Sequence, residues 1–247
     1  MMAANPVIHL ADVRFAWPGA PAPCLTIASF TVAAGEHVFL YGSSGSGKST
    51  LLALLGGVLV PQQGSVEVLG HDLARTPAAR RDQLRGDHVG MLFQQFNLVP
   101  YLSVLENVLL PCRFSARRRA RAAEGANGSP GAGTVATAKR LLQGLGLDAG
   151  LWQQESARLS VGQQQRVAAA RALIGRPELI IADEPTSALD AARQEEFISL
   201  MLRECAAADA TLLFVSHDMR LDSLFTRVVA LADLNAVSSA AKQAEAA

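Results

Sequence analysis

Cysteine is scarce in this chain: Cys24, Cys112 and Cys205, odd in number and widely spaced. That pattern excludes a disulfide framework and offers no metal-like spacing, so reduced thiols in a cytosolic setting are expected. An excess of one charge is also missing. Lys plus Arg number 22 and Asp plus Glu number 22, a formal net charge of +0, which argues against bulk electrostatic binding to nucleic acid. Long apolar runs are absent as well. The longest, Leu51 to Val60, falls well short of the roughly 18–20 residues needed to cross a bilayer. Met1 to Pro6 has no basic stretch leading into an apolar one, so no secretory signal is expected. What remains is 247 residues, 50% hydrophobic, enough to bury the core of one domain with a subdomain.

Against these absences stands a complete phosphate-loop pattern, Gly42-Ser43-Ser44-Gly45-Ser46-Gly47-Lys48-Ser49-Thr50. It follows a short apolar run, His37 to Tyr41, that reads as a buried strand, and precedes Leu51 to Leu55, which reads as a helix. Glycines at positions 42, 45 and 47 let backbone N–H groups converge on phosphate oxygens, and the following helix adds its positive end. Lys48 is placed to reach the β- and γ-phosphates, and the Ser49 hydroxyl to ligate Mg²⁺. A flexible Gly/Ser loop is the bland alternative, and the strand–loop–helix context argues against it.

The second acidic element is Leu179-Ile180-Ile181-Ala182-Asp183-Glu184. An apolar strand delivers Asp183 to the Mg²⁺ shell. Glu184, one residue on, is placed to polarise a water as general base. Alone it would read as a solvated strand-end acid; beside Asp183, with Pro185 stopping the strand, the catalytic reading is favoured.

Leu159-Ser160-Val161-Gly162-Gln163, Ser187-Ala188-Leu189-Asp190, Val215-Ser216-His217-Asp218 and Phe93-Gln94 follow a fixed order around these two elements. Together they resemble the signature, D-loop, switch-histidine segment and Q-loop of the ATP-binding-cassette (ABC) ATPases, over roughly positions 7 to 235. The resemblance implies ATP and Mg²⁺ as ligands. It implies a head-to-tail pair of cassettes in which Ser160, Gly162, Gln163 and Asp190 of one copy meet the ATP held by the other. It implies that His217 contacts the γ-phosphate and attacking water, and that Gln94 contacts Mg²⁺ and water on a hinge; Gln95 leaves a one-residue ambiguity. Trp17 sits where family members place an aromatic against adenine, although an aromatic near a Pro-Gly turn also serves to cover a core. Ser160 reads as an N-cap with Val161 and Gly162 in the first turn. Val161 replaces the family's usual glycine; its bulk lies close to the partner's phosphate, and an active but slower site is expected.

The fold class expected is α/β, a P-loop NTPase with a RecA-like parallel core, an N-terminal antiparallel β-subdomain and an inserted α-helical subdomain. Strands are expected at Val7–Val13, Leu25–Val32, Gly90–Phe93, Leu179–Asp183, Thr211–Ser216 and Val228–Leu231, and helices at Val104–Leu110 and Thr137–Leu145. Residues 1–93 and 159–235 form the β-subdomain and core, residues 94–158 the helical subdomain, and residues 236–247 a solvated tail. Within 116–136 lies a low-complexity loop. Its Arg117, Arg118, Arg119 and Arg121 have two readings: contact with acidic headgroups beside a membrane, or an exposed helix end running into a flexible loop. The second is favoured.

One phosphate loop, no long heptad run and no cysteine pairs favour a transport ATPase over a non-transport relative acting on DNA or ribosomes. Gln94 to Pro111 resembles the MacB/LolD-like branch for macrolide export and lipoprotein release. That resemblance implies a second ATPase subunit and an integral-membrane permease of FtsX/MacB type as partners, no nucleic acid, and a peripheral cytoplasmic position on the inner membrane. An FtsE-like division ATPase or an importer ATPase is the alternative.

Overall fold

The computed structural model describes residues 6–124, 130–187 and 189–237. Part of the low-complexity segment (125–129), Ala188 and most of the expected tail (238–247) lie outside the described residues. In chain order the elements begin β1 (Ile8–Phe15), β2 (Leu25–Val32), β3 (His37–Tyr41), α1 (Lys48–Leu55), β4 (Gln63–Val68), β5 (His71–Asp72), α2 (Ala78–His88) and β6 (Val89–Leu92). They continue α3 (Val104–Phe114), α4 (Ala116–Ala123), α5 (Pro130–Gly144), α6 (Val161–Leu173), β7 (Leu179–Asp183), α7 (Ala191–Ala207), β8 (Thr211–Ser216), β9 (Arg227–Ala230) and α8 (Leu231–Leu234). Two compact units result, one of Met1–Arg85 with Leu213–Ala247, the other of Gly86–Leu212. The second contains residues 94–158 together with β6 and β7, which pair with each other inside it.

In the first unit an antiparallel sheet runs β2-β1-β4-β5. Ile8, Leu10, Val13 and Phe15 of β1 are buried, the alternation of a half-buried strand with one skipped beat. The skip falls where Asp12 has φ 50° and the register against β4 shifts between Ala11 and Arg14, a β-bulge that re-aims the strand. The same unit holds β3 between β8 and β9, with β3 and β9 parallel from Val38↔Arg227 to Tyr41↔Ala230. Phe39, Phe214 and Phe225 pack in a ring cluster with centroids 5.1–6.1 Å apart.

In the second unit β6 pairs in parallel with β7 from Val89↔Leu179 to Leu92↔Ala182. Residues 179–182 are all buried, as a strand covered on both faces requires. Gly90 lets α6 approach closely: a Cβ there would lie 2.3 Å from the Ala172 carbonyl oxygen. α3 packs on α5 and α6, and α4 on α5.

Two expectations need correction here. α3 does not stop before Pro111 but runs to Phe114. A capping box between Ser103 and Glu106 and the burial of Val104, Leu105 and Val108 outweigh the roughly 3 kcal/mol that an interior proline costs. The segment 116–136 is not a loop throughout, since α4 fills residues 116–123 and α5 already begins at Pro130. Ser115 restarts the helix, its side chain accepting the Arg118 N–H at 3.0 Å. Nor are its arginines all exposed: Arg118 is 2% exposed, and burial lowers its pKa to about 10. Arg117 and Arg121 each donate to Glu178 Oε1 at 2.6 Å. Among the described residues no helix is long and apolar enough to cross a membrane, and all three cysteines are free.

Candidate nucleotide site

In the first unit the phosphate loop leaves β3 and closes into α1, whose N-cap is Gly47 at φ 102°. Only glycine fits there, since a Cβ would meet Leu25 Cδ2 at 2.8 Å in a left-handed backbone. No side chain caps α1 and no acid occupies its first turn, which leaves its positive end for an anion. Lys48 is buried, its Nζ donating to the Gly42 and Ser43 carbonyls at 2.8 and 3.1 Å. The ammonium is thereby folded along the loop. Ser46 Oγ is buried without a partner, while the Ser43, Ser44 and Ser49 side chains face out. An ammonium, N–H groups and hydroxyls converging on one loop are a donor set suited to phosphate.

Asn235, a residue that sequence reasoning missed, supports this loop from beneath. It is 1% exposed. Its Oδ1 accepts the Thr26 N–H at 2.9 Å, and its Nδ2 donates to the Cys24 carbonyl at 3.0 Å and the Ser46 carbonyl at 3.5 Å. One carboxamide thus ties the start of β2 to the phosphate loop. β3 and β8 are neighbours, and the chain leaves β8 directly into His217, which is exposed. Next to it Asp218 caps the following turn; the Arg220 side chain, donating at 2.8 Å, holds its carboxyl below the usual carboxylate range. Trp17 is 48% exposed and meets Phe15 edge-on at 5.3 Å, so it covers the core with one edge and keeps ring surface outside.

In the second unit the parallel register of β6 and β7 sends both chains out at one end. Phe93-Gln94 therefore follows β6 beside Asp183-Glu184 at the end of β7. The pairing brings together the two residues expected to ligate Mg²⁺ from this unit, and the expected base. Glu184 has φ 44°, a left-handed backbone that costs a non-glycine residue about 1–3 kcal/mol and clusters at functional sites. After the Gln94-Gln95 turn, Phe96 and Asn97 are also left-handed, at φ 57° and 51°. Arg171 of α6 donates to both their carbonyls, at 2.6 Å to Asn97 and closer to Phe96. Arg171 was not anticipated either; in the sequence it is one more helical arginine.

Ser160 caps α6, accepting the Gln163 N–H at 3.4 Å while Gln163 Oε1 accepts the Ser160 N–H at 2.9 Å. Val161 takes the first helical position, as expected, and is 47% exposed. Asp190 caps α7 through the Arg193 N–H at 3.1 Å.

A phosphate loop on parallel strands, an antiparallel sheet and a helical segment ending in a capped glycine-bearing helix define a P-loop ATPase. Residues 25–187 match the family model described as ABC transporter. The chain belongs to the ABC transporter family and has the cassette of an ABC-type ATPase. It is 40% identical over 232 residues to the lipoprotein-releasing system ATP-binding protein LolD of Anaeromyxobacter dehalogenans, covering 93% of this chain and 92% of that protein. It is 41% identical over 207 residues to the ABC transporter ATP-binding protein YbbA of Escherichia coli K12, covering 84% and 85%. The macrolide export ATP-binding/permease protein MacB of Rhodopirellula baltica is 36% identical across 85% of this chain, but the match covers only 29% of that longer protein. Among solved structures, the dimeric bacterial ABC transporter cassette MJ0796 aligns with TM-score 0.77 and 32% identity, covering 90% of this chain and 93% of that one.

Proposed function

We propose that two copies of this chain close head to tail around two ATP molecules and so drive a separate FtsX/MacB-like permease at the inner face of the cell membrane. In this reading Gly42 to Thr50 hold the triphosphate and Trp17 stacks on adenine. Glu184 takes a proton from the attacking water as its oxygen bonds to the γ-phosphorus and the bond to the β-phosphate oxygen breaks. His217 orients that water and the γ-phosphate. Ser49, Gln94 and Asp183 offer the hard oxygen donors that suit Mg²⁺, which supplies neutralisation of the phosphate charge. The Ser160, Gly162, Gln163 and Asp190 side of one copy meets the other copy's ATP. Nucleotide then acts as a removable bridge between two states.

The observation that carries this reading is the outward-facing Ser160–Val161 corner on a capped helix end, a second helix start that can meet an anion besides that of α1. The relatives' names, which couple such cassettes to release systems and permeases, support the partner class. Export or extraction of a lipid, lipoprotein, peptide or drug-like substrate is the class those relatives suggest. The test is Glu184→Gln with ATP: a stable dimer is expected on size exclusion, with turnover reduced at least about 100-fold. Lys48→Ala is expected to abolish both pairing and turnover. A Glu184→Gln protein that binds ATP yet stays monomeric at high concentration overturns the proposal.

A further inference from the structure

The chain's positive charge is not spread evenly. Five arginines, at 113, 117, 118, 119 and 121, fall within nine residues of a chain whose formal net charge is +0. They bracket the corner between α3 and α4, where Ser115 closes one helix and opens the next in an extended conformation, φ −114° and ψ 113°. At that corner Phe114 stands 84% exposed, the most exposed large hydrophobic side chain among the described residues. The acids facing the corner are Glu178, held by Arg117 and Arg121, and Asp87, which accepts from the Ser115 hydroxyl. Arg118 turns inward, whereas Arg113, Arg117 and Arg119 lie at the surface beside Phe114 with Ala116 and Ala120.

We propose that the Phe114 corner of the α3–α4 helices is a contact surface for the anionic headgroups of a lipid bilayer. The geometry favours lipid over a protein. One aromatic ring flanked by alanines is far too small an apolar patch for a stable protein interface, which buries about 800 Å² on each side. A bilayer needs no matching shape. It accepts one ring at the headgroup boundary and offers many negative charges to the exposed Arg113, Arg117 and Arg119, of which Arg117 also pairs with Glu178 and Arg119 donates to the Cys112 carbonyl at 3.3 Å. Glu178 holds Arg117 and Arg121, whose side chains stay 44% and 26% exposed, so this part of the patch is kept in shape by the fold. Proximity to a bilayer agrees with the proposed function, but the surface itself does not depend on ATP or on a permease.

The experiment is co-sedimentation of the full chain, without nucleotide, with vesicles of phosphatidylglycerol and phosphatidylcholine or of phosphatidylcholine alone. Sedimentation is expected with the anionic vesicles at low salt, and it should fall as salt is raised. Removing a surface charge lowers affinity about fivefold, so Arg113→Gln with Arg119→Gln is expected to weaken binding about 25-fold. Phe114→Ala is expected to weaken it about tenfold, and Phe114→Trp to preserve it. ATPase activity and melting temperature should stay at parental values in all these variants, which separates the result from any failure of the nucleotide site. Equal sedimentation with both vesicle types, none with the anionic vesicles, or unchanged binding by the double arginine variant overturns the proposal. Variants that keep lipid binding but lose association with a purified membrane protein assign the corner to a protein partner instead.

Discussion

Asn235 is the residue whose role depends most on its neighbours. Its carboxamide donates toward the Cys24 and Ser46 carbonyls and accepts from Thr26, so replacing the amide nitrogen by oxygen changes one side of the contact alone. Asn235→Asp is expected to lower stability by about 1–3 kcal/mol, because it sets an acceptor against two carbonyls. It is also expected to raise the KM for ATP several-fold with kcat near the parental value, since the loop is misplaced while the chemistry is intact. A melting curve and steady-state ATPase kinetics check both; a fall in stability with unchanged KM reduces Asn235 to a structural staple. Nothing in the order of residues reveals this contact, as Asn235 lies far along the chain from Thr26 and Ser46. The place of Asp183 at the end of β7, with Glu184 just beyond it, was legible, because an apolar run stopped by Pro185 marks a strand locally. The left-handed backbone of Glu184 was not: glutamate carries no local preference for that region, and the surrounding turn imposes it.

Among the elements, α4 shows how a sequence low in complexity becomes ordered. ARRRARAA reads as a solvated run, yet Glu178, immediately before β7, gathers Arg117 and Arg121 on Oε1 and His88 on Oε2 at 3.0 Å. Burial alone would raise the Glu178 pKa. The hydrogen bond from Arg117, a backbone hydrogen bond and the charges of His88 and Arg121 outweigh that effect and hold the carboxyl below its usual value. A depressed folded-state carboxylate stabilises the protein above its unfolded pKa of about 4.3 and loses that contribution as pH falls through the folded value. Glu178→Gln is therefore expected to cost about 1–3 kcal/mol at neutral pH, and the gap to the parent should narrow as the medium becomes acid below about pH 4.3. Urea titrations across that range check it; a gap independent of pH would mean that the glutamine loses packing, not charge. The strands were the more legible elements. β2, β3, β7 and β8 fall at the expected bounds because apolar content and flanking turn residues mark them locally. α3 runs through Pro111 because tertiary packing overrides a local stop signal.

For the whole molecule, the proposed pairing makes the departure at Val161 a determinant of how tightly two copies close. Its side chain stands outward on the first turn of α6, where a twin's triphosphate is proposed to lie. Val161→Gly in a Glu184→Gln background is expected to tighten ATP-dependent dimerisation about tenfold, by relief of overpacking. Light scattering across a concentration series measures it, and an unchanged dissociation constant would place Val161 away from the closed interface. Taken alone, the sequence determined the chemistry and the class of fold: phosphate loop, acid-tipped strand, capped signature helix and neutral charge all rest on local spacing and periodicity, which survive in one dimension. Only the tertiary structure decided which distant groups support them. Asn235 beneath the loop, Arg171 on the carbonyls of Phe96 and Asn97, Glu178 holding α4 and the exposure of Phe114 all follow from packing. Such contacts join residues tens to hundreds of positions apart, and burial and hydrogen-bond geometry exist only once the chain has folded.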